Sequence, residues 1–253
     1  MATLSACVEM FWNKEPVDAR IRHAADVGFK YVEFWGWKNK DLDAIAKATK
    51  ETGVRLATFC MEADKRLVEP DAAQALKDGL TQSIAAARKL NVDRLILTTG
   101  NERKAETYEI TRRTVVRNLK AIAPILEKEK MTLVLEPLNP IVNHLGYWLT
   151  KMSEAADICY EVDSPYVKIL MDIYHQQVTE GNVIANLRQY TSLIGHYHTA
   201  GVPGRHELAG GELDYRSIFK AIDETGYKHC VGLEFSPTMD VAAALKQALD
   251  LAK

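Results

Sequence analysis

Four side chains of metal-ligand type close four successive apolar runs. "TLVLEP" carries Glu136, "VKILMD" ends on Asp172, "IGHYH" on His198 and "VGLE" on Glu234. Runs of this length and composition read as buried strands. Each carries its carboxylate or imidazole at the same level, the C-terminal end. Three carboxylates brought to one buried place repel one another, and uncompensated they cannot all stay ionised. A divalent cation removes that repulsion. Carboxylate oxygens with one imidazole suit Mg²⁺ or Mn²⁺ first and Co²⁺ next; Zn²⁺ fits less well because it usually takes more nitrogen or sulfur. The expected chemistry is therefore that of one divalent metal ion held by Glu136, Asp172, His198 and Glu234. A lone glutamate at a strand end more often forms an ion pair at a rim. Glu33 in "YVEFWG" is such a case and stays unassigned; recurrence at one level is what sets the other four apart.

Three further polar residues lie close by in sequence. His196 precedes His198 by two positions, so on a strand both face the same way. It sits one layer deeper, where a satisfied core histidine is the expectation ahead of a role in orienting a ligand. His175, in "DIYHQQ", falls on the loop leaving the sixth run and is a candidate for binding substrate. Arg205, in "GVPGRHE", falls on the loop after the seventh. Its planar fork suits a carboxylate or the hydroxyls of a small polar substrate, against a solvated loop arginine. Phe11, Trp12, Trp35 and Trp37 follow the first two runs and either wall a pocket or form an oligomer contact.

Positioning these residues requires elements that converge. Strand-length runs occur at 4–10, 31–36, 55–61, 94–100, 132–138, 167–173, 193–199 and 230–236. Amphipathic stretches separate them, at 16–27, 40–52, 71–90, 104–129, 150–161, 214–224 and 239–252, with a short one near 181–191. Eight successive strand–helix units predict an α/β fold with a parallel sheet, and eight is the number that closes a (β/α)8 TIM barrel. A doubly wound open sheet usually starts with a Gly-rich phosphate loop after the first strand, and "FWNKEPVD" contains none. Asp214 is placed to cap a helix start, and Gly28, Gly53 and Gly226 to close helix ends. The absence of a Pro/Gly-rich linker predicts one domain over 1–253. In such a barrel the C-terminal ends of the strands carry the active site.

The chain has 253 residues, 47% hydrophobic and 26% charged, with a net charge of −2. That balance gives no bulk attraction for nucleic acid or an anionic membrane. Cys7, Cys60, Cys159 and Cys230 are scattered without a CxxC pair, which suits core positions in a reducing compartment. The first residues carry no basic segment ahead of a long apolar one, so a cytoplasmic location is expected.

Taken together, "LEPLNP", "MDIYHQQ", "IGHYHTAGVPGRHEL", "GELDY" and "VGLEFSP" resemble the hydroxypyruvate isomerase group of the xylose isomerase-like TIM barrels. The resemblance covers most of the chain and is strongest in its second half. It implies that Glu136, Asp172, His198 and Glu234 hold the metal, that Glu136 and Glu234 are the proton-transfer pair, and that His175 and Arg205 contact substrate oxygens. Ala200-Gly201, "LAGG" at 208–211 and the histidine at 198 depart from the usual isomerase pattern, the last toward the epimerases. These departures bear on the substrate and not on the metal set.

The resemblance implies an isomerase acting on a small α-hydroxycarbonyl compound through a cis-enediolate, with hydroxypyruvate to tartronate semialdehyde as the leading case. A ketose 3-epimerase on a neutral sugar and an isomerase or dehydratase of the inositol-catabolism type are the alternatives. A DNA-repair endonuclease on the same barrel would want three zinc ions, more histidines and a basic groove. A non-catalytic sugar-binding barrel would have no use for the full ligand set. The expected partners are a hydroxy-keto acid or sugar, and a second copy of the chain in a homo-oligomer.

Overall fold

Eight parallel strands pair in chain order and the last returns to the first, closing a barrel. The computed structural model describes residues 2–253. The strands are β1 (Thr3–Cys7), β2 (Tyr31–Phe34), β3 (Arg55–Cys60), β4 (Arg94–Leu97), β5 (Thr132–Leu135), β6 (Val167–Asp172), β7 (Ile194–Thr199) and β8 (Cys230–Leu233). Helices α1 (Val17–Val27), α2 (Leu42–Thr52), α3 (Ala73–Lys89), α4 (Tyr108–Glu129) and α5 (Met152–Val162) follow the first five strands in turn. After β6 come α6 (Ile173–Thr179) and α7 (Val183–Gln189); α8 (Tyr215–Glu224) follows β7 and α9 (Val241–Leu251) follows β8. Among the described residues, no helix is long and apolar enough to cross a membrane.

Alternation along the strands sorts side chains into two cores. Leu95, Leu97, Leu133, Leu135, Ile169 and Met171 join the large cluster between sheet and helices. Their neighbours Ile96, Val134 and Leu170 form a separate small cluster with Cys60. Leu170 lies in register with His196 and Asp172 with His198, so this second set fills the barrel. Its interior is thus apolar on the side of β3–β6 and carries Glu33, His196 and His198 on the other. All four cysteines are free thiols; three are buried and Cys60 partly so.

The strands stop two or three residues short of most expected ends, because the chain leaves the ladder where it bends into the rim loops. Glu136 and Glu234 therefore stand just past the last paired residues of β5 and β8. Helix punctuation follows the sequence. The Asp214 carboxylate accepts the Arg216 and Ser217 N–H groups at the start of α8. Gly28 closes α1 with φ 109°, in the left-handed region that only glycine enters freely.

One element differs from expectation. Residues 173–179 are helical, so His175 lies on α6 and not on a loop, and it is fully buried. The cause is local: the Asp172 Oδ1 atom accepts the Tyr174 and His175 N–H groups at 2.8 and 3.3 Å. The aspartate that ends β6 is also the N-cap of the next helix, leaving no loop between them.

Candidate active site

At the C-terminal mouth, Glu136, Asp172, His198 and Glu234 each present one ligating atom, and these atoms all lie within 4.8 Å of one another. All four residues are buried. The structure thus brings together the four residues named from strand ends. Strand register does this directly, since Asp172 pairs with His198 and His198 with Gly232 across β6, β7 and β8.

The imidazole of His198 is held from behind. Its Nε2 lies 2.7 Å from Glu33 Oε1, while its Nδ1 lies 3.4 Å from Glu136 Oε1 and 3.3 Å from Glu234 Oε2. A proton on Nε2, facing Glu33, leaves the Nδ1 lone pair toward the two rim carboxylates. Nδ1 is buried and makes no hydrogen bond. An unpaired buried acceptor among three carboxylates, with three oxygens and one nitrogen in reach, fits a divalent metal ion. Burial disfavours charge on His198, but Glu234 and Glu33 outweigh it and hold its pKa well above the ordinary value; the surrounding carboxylates thus favour positive charge at Nδ1, and a divalent ion there would take the place of the proton.

Glu33 is the residue that sequence reasoning left unassigned. Its Oε2 accepts the Ser5 hydroxyl at 2.7 Å and lies 3.1 Å from His196 Nε2. Burial raises its pKa, yet His198 and His196 together bring it down to about 2. One carboxylate therefore serves both histidines of "IGHYH", and His196 is both a core residue and part of this chain of contacts. The available signal was a charged residue inside an apolar strand, which requires a partner. Its partner on β7 lies across the barrel and cannot be read from spacing. Gly232 belongs to the same arrangement. A Cβ there would come within 2.3 Å of Glu33 Oε1 and 2.6 Å of His198 Cδ2, so β8 needs glycine for the two groups to meet.

Asp172 divides its oxygens. Oδ1 caps α6, and Oδ2 lies 3.5 Å from His175 Nε2 and 3.6 Å from the Arg205 guanidinium. The His175 Nδ1 atom accepts from Asn139, whose backbone N–H lies 3.2 Å away and side-chain amide 2.6 Å away. A backbone amide can only donate, so Nδ1 carries the lone pair and Nε2 the proton. Burial pushes the His175 pKa down to about 4, so the ring is a neutral donor at pH 7. That Nε2 has no hydrogen-bond acceptor in the protein, which leaves its N–H free for a substrate oxygen.

Arg205, at φ 59°, donates through Nη2 to Glu234 Oε2 and through Nε to the Glu234 carbonyl at 3.2 Å. Its guanidinium lies 5.4 Å from the centre of the Tyr174 ring. This arginine is held in the site and is not a solvated loop residue. The Trp35 indole N–H donates to Glu234 Oε1 at 2.6 Å. Burial raises the pKa of both glutamates; His198 and Arg205 reverse this for Glu234, which is held low. Glu136 has less help and is pushed up to about 7.

The aromatics separate. Phe11 is buried against Phe235, with ring centres 5.1 Å apart. The Trp37 indole bonds Ser83 Oγ at 3.0 Å. Trp12 and Trp35 line an open cavity of about 660 Å³ beside the site, with Glu9 and Ser236.

A family profile described as xylose isomerase-like TIM barrel matches residues 21–253, and the chain belongs to that family. A candidate hydroxypyruvate isomerase of Danio rerio is 32% identical, over 97% of this chain and 95% of that one. The hydroxypyruvate isomerase of Escherichia coli (strain K12) is 29% identical, over 97% and 98%. A crystal structure titled AP endonuclease, family 2, from Brucella melitensis superposes with a TM-score of 0.93 at 26% identity, covering 99% of each chain. With relatives named isomerase along nearly its whole length, the chain is an isomerase.

Proposed function

We propose that this isomerase interconverts a small hydroxy-keto acid and its aldehyde isomer, with hydroxypyruvate to tartronate semialdehyde as the reaction. The carrying observation is the convergence of Glu136, Asp172, His198 and Glu234 at one buried point, flanked by the His175 N–H and the Arg205 fork. The four residues would hold one divalent ion, Mg²⁺ or Mn²⁺. When bound, the ion supplies Lewis acidity that makes the carbon beside a carbonyl easier to deprotonate.

The protein's own groups do the rest. Glu234, held ionised by His198 and Arg205, takes a proton from the hydroxymethyl carbon. Glu136 on the facing strand delivers a proton to the former carbonyl carbon. The hydroxyl proton passes from one substrate oxygen to the other, so product and substrate have the same formula. The neutral His175 donates its Nε2–H to a substrate oxygen. Arg205 presents its remaining N–H groups to the carboxylate in the bidentate manner that arginine favours. Trp35 holds Glu234 by its second oxygen and fixes the direction of its lone pair.

The test is proton exchange. Glu136→Gln and Glu234→Gln variants, assayed with hydroxypyruvate and Mn²⁺ in deuterated water, should lose deuterium incorporation into substrate and product. Wild-type incorporation by either variant would remove that glutamate from the mechanism. Arg205→Ala should raise KM for the acid far more than for a neutral ketose. Equal effects on both would favour a sugar epimerase.

A further inference from the structure

The opposite end of the barrel holds a second enclosed space that the isomerase reading does not use. A cavity of about 240 Å³ opens among the first residues of β1, β2, β3, β4 and β8, which are Thr3, Tyr31, Arg55, Arg94 and Cys230. Arg88 at the end of α3 and Asp93, Lys228 and His229 on the loops before β4 and β8 complete it, and His196 also lines it. Four permanent cations thus face one carboxylate.

Residues at this end of such barrels ordinarily serve stability, and part of the charge has that explanation. Arg88 lies in the last turn of α3, where the helix dipole favours a cation, and it also pairs with Glu129 at 3.6 Å. Arg55 lies over the Tyr31 ring, 5.4 Å from its centre. Arg94 has no such account. It is 5% exposed, and a buried guanidinium is costly unless a charge compensates it. The nearest acid, Asp93, is 3.9 Å away with its side chain 75% exposed.

The bonds Arg94 does make are to neutral groups. Nη1 donates to the Gly195 carbonyl at 2.8 Å and Nη2 to His229 Nδ1 at 3.1 Å. Arginine can only donate, so the His229 ring accepts there and carries no charge. The Arg94 Nε–H is buried without any partner, and so is Nδ1 of His196. The two residues that carry these unsatisfied atoms line the same cavity; of the two atoms, the Arg94 Nε–H is the donor that an anion would satisfy, in a ring of excess positive charge.

We infer that the N-terminal mouth of the barrel is a binding site for a small multiply charged oxyanion of the phosphate class, with Arg94 at its floor and Arg55, Arg88 and Lys228 at its rim. Such an anion offers several acceptor oxygens to the fork and point charges that surround it. Free phosphate and the head of a phosphomonoester share this chemistry. The site is remote from the isomerase centre but touches it through contacts already described: His196 reaches Glu33, and Glu33 reaches His198.

Isothermal titration of the metal-free protein with inorganic phosphate at pH 7 and low ionic strength tests this. One saturable site is expected. Arg94→Ala should abolish it, and because that variant can also fail to fold, the surface pair Arg55→Ala/Lys228→Ala is the decisive one. Each charge-assisted bond lost should weaken binding about tenfold or more. Arg205→Ala, at the other mouth, should leave the affinity as it is. A phosphomonoester binding more tightly than free phosphate would identify the ester as the ligand; equal binding would identify phosphate itself. No saturable heat, unchanged affinity in the surface pair, or loss of binding in Arg205→Ala would each overturn the inference. So would a crystal grown in phosphate that shows only water on Arg94 Nε.

Discussion

The two mouths of the barrel are charged oppositely. At the C-terminal mouth, Glu33, Glu136, Asp172 and Glu234 surround one imidazole and one guanidinium. At the N-terminal mouth, Arg55, Arg88, Arg94 and Lys228 line the cavity with one acid, Asp93, while Arg88 also reaches Glu129 outside it. Both share the same eight strands, and β2 and β7 send residues to each. The upper mouth is a tight cluster in which every carboxylate has a named contact. The lower one is an open ring whose central cation has only the exposed Asp93 carboxylate near it, at 3.9 Å. Parallel strands make this division possible, because every strand starts at one end and finishes at the other. The sign of the excess charge then sets the sign of the ligand each mouth would take: a cation above, an anion below.

The largest effect that could break this picture is at the upper mouth. Exhaustive chelation should abolish turnover, with recovery on adding Mn²⁺ or Mg²⁺; full activity after chelation would end the metal reading. Glu136→Gln and Glu234→Gln should each lower kcat by about 10²–10⁴-fold, the range for removal of a general acid or base. Glu33→Gln comes next. Groups that orient a metal-bound histidine typically change metal affinity about 10–100-fold. Titration of the variant with Mn²⁺ should show a loss of that size. Gly232→Ala should do the same by pushing Glu33 and His198 apart. Unchanged Mn²⁺ affinity in both would reduce Glu33 to a buried ion pair.

A sharper comparison uses the lower mouth as the control. Arg55→Ala/Lys228→Ala should leave Mn²⁺ affinity at the upper mouth within about twofold, since well-separated sites act almost independently. The smallest effect concerns pH. Burial lowers the His196 pKa from 6.5 to about 4. The unfolded chain therefore takes up a proton that the folded site refuses, and stability falls as pH drops across that interval. The difference in Tm between wild type and His196→Gln should be largest near pH 7 and shrink toward pH 4. A difference independent of pH would mean that His196 is not buried neutral.

Much of the upper mouth was legible in the residues. Glu136, Asp172, His198 and Glu234 each stand at the end of an apolar run, and a barrel of parallel strands must bring such ends to one rim. The helix at 173–179 was not legible, because seven residues between a strand and a turn give too little periodicity to separate helix from loop. That short helix is what turns His175 from a loop residue into a buried donor.

What the sequence by itself determined is the order and number of strands and the kind of group at each strand end, since both follow from local hydrophobic pattern. What only the tertiary structure decided is which groups face one another across the barrel. Glu33 meets His196 and His198 from a strand 163 positions away, over a glycine on β8. Arg94 meets His229, 135 positions away, at 3.1 Å, closer than its sequence neighbour Asp93 at 3.9 Å. No spacing along the chain encodes those pairings. They depend on the tilt and register with which the sheet closes, and those are set by packing of the whole.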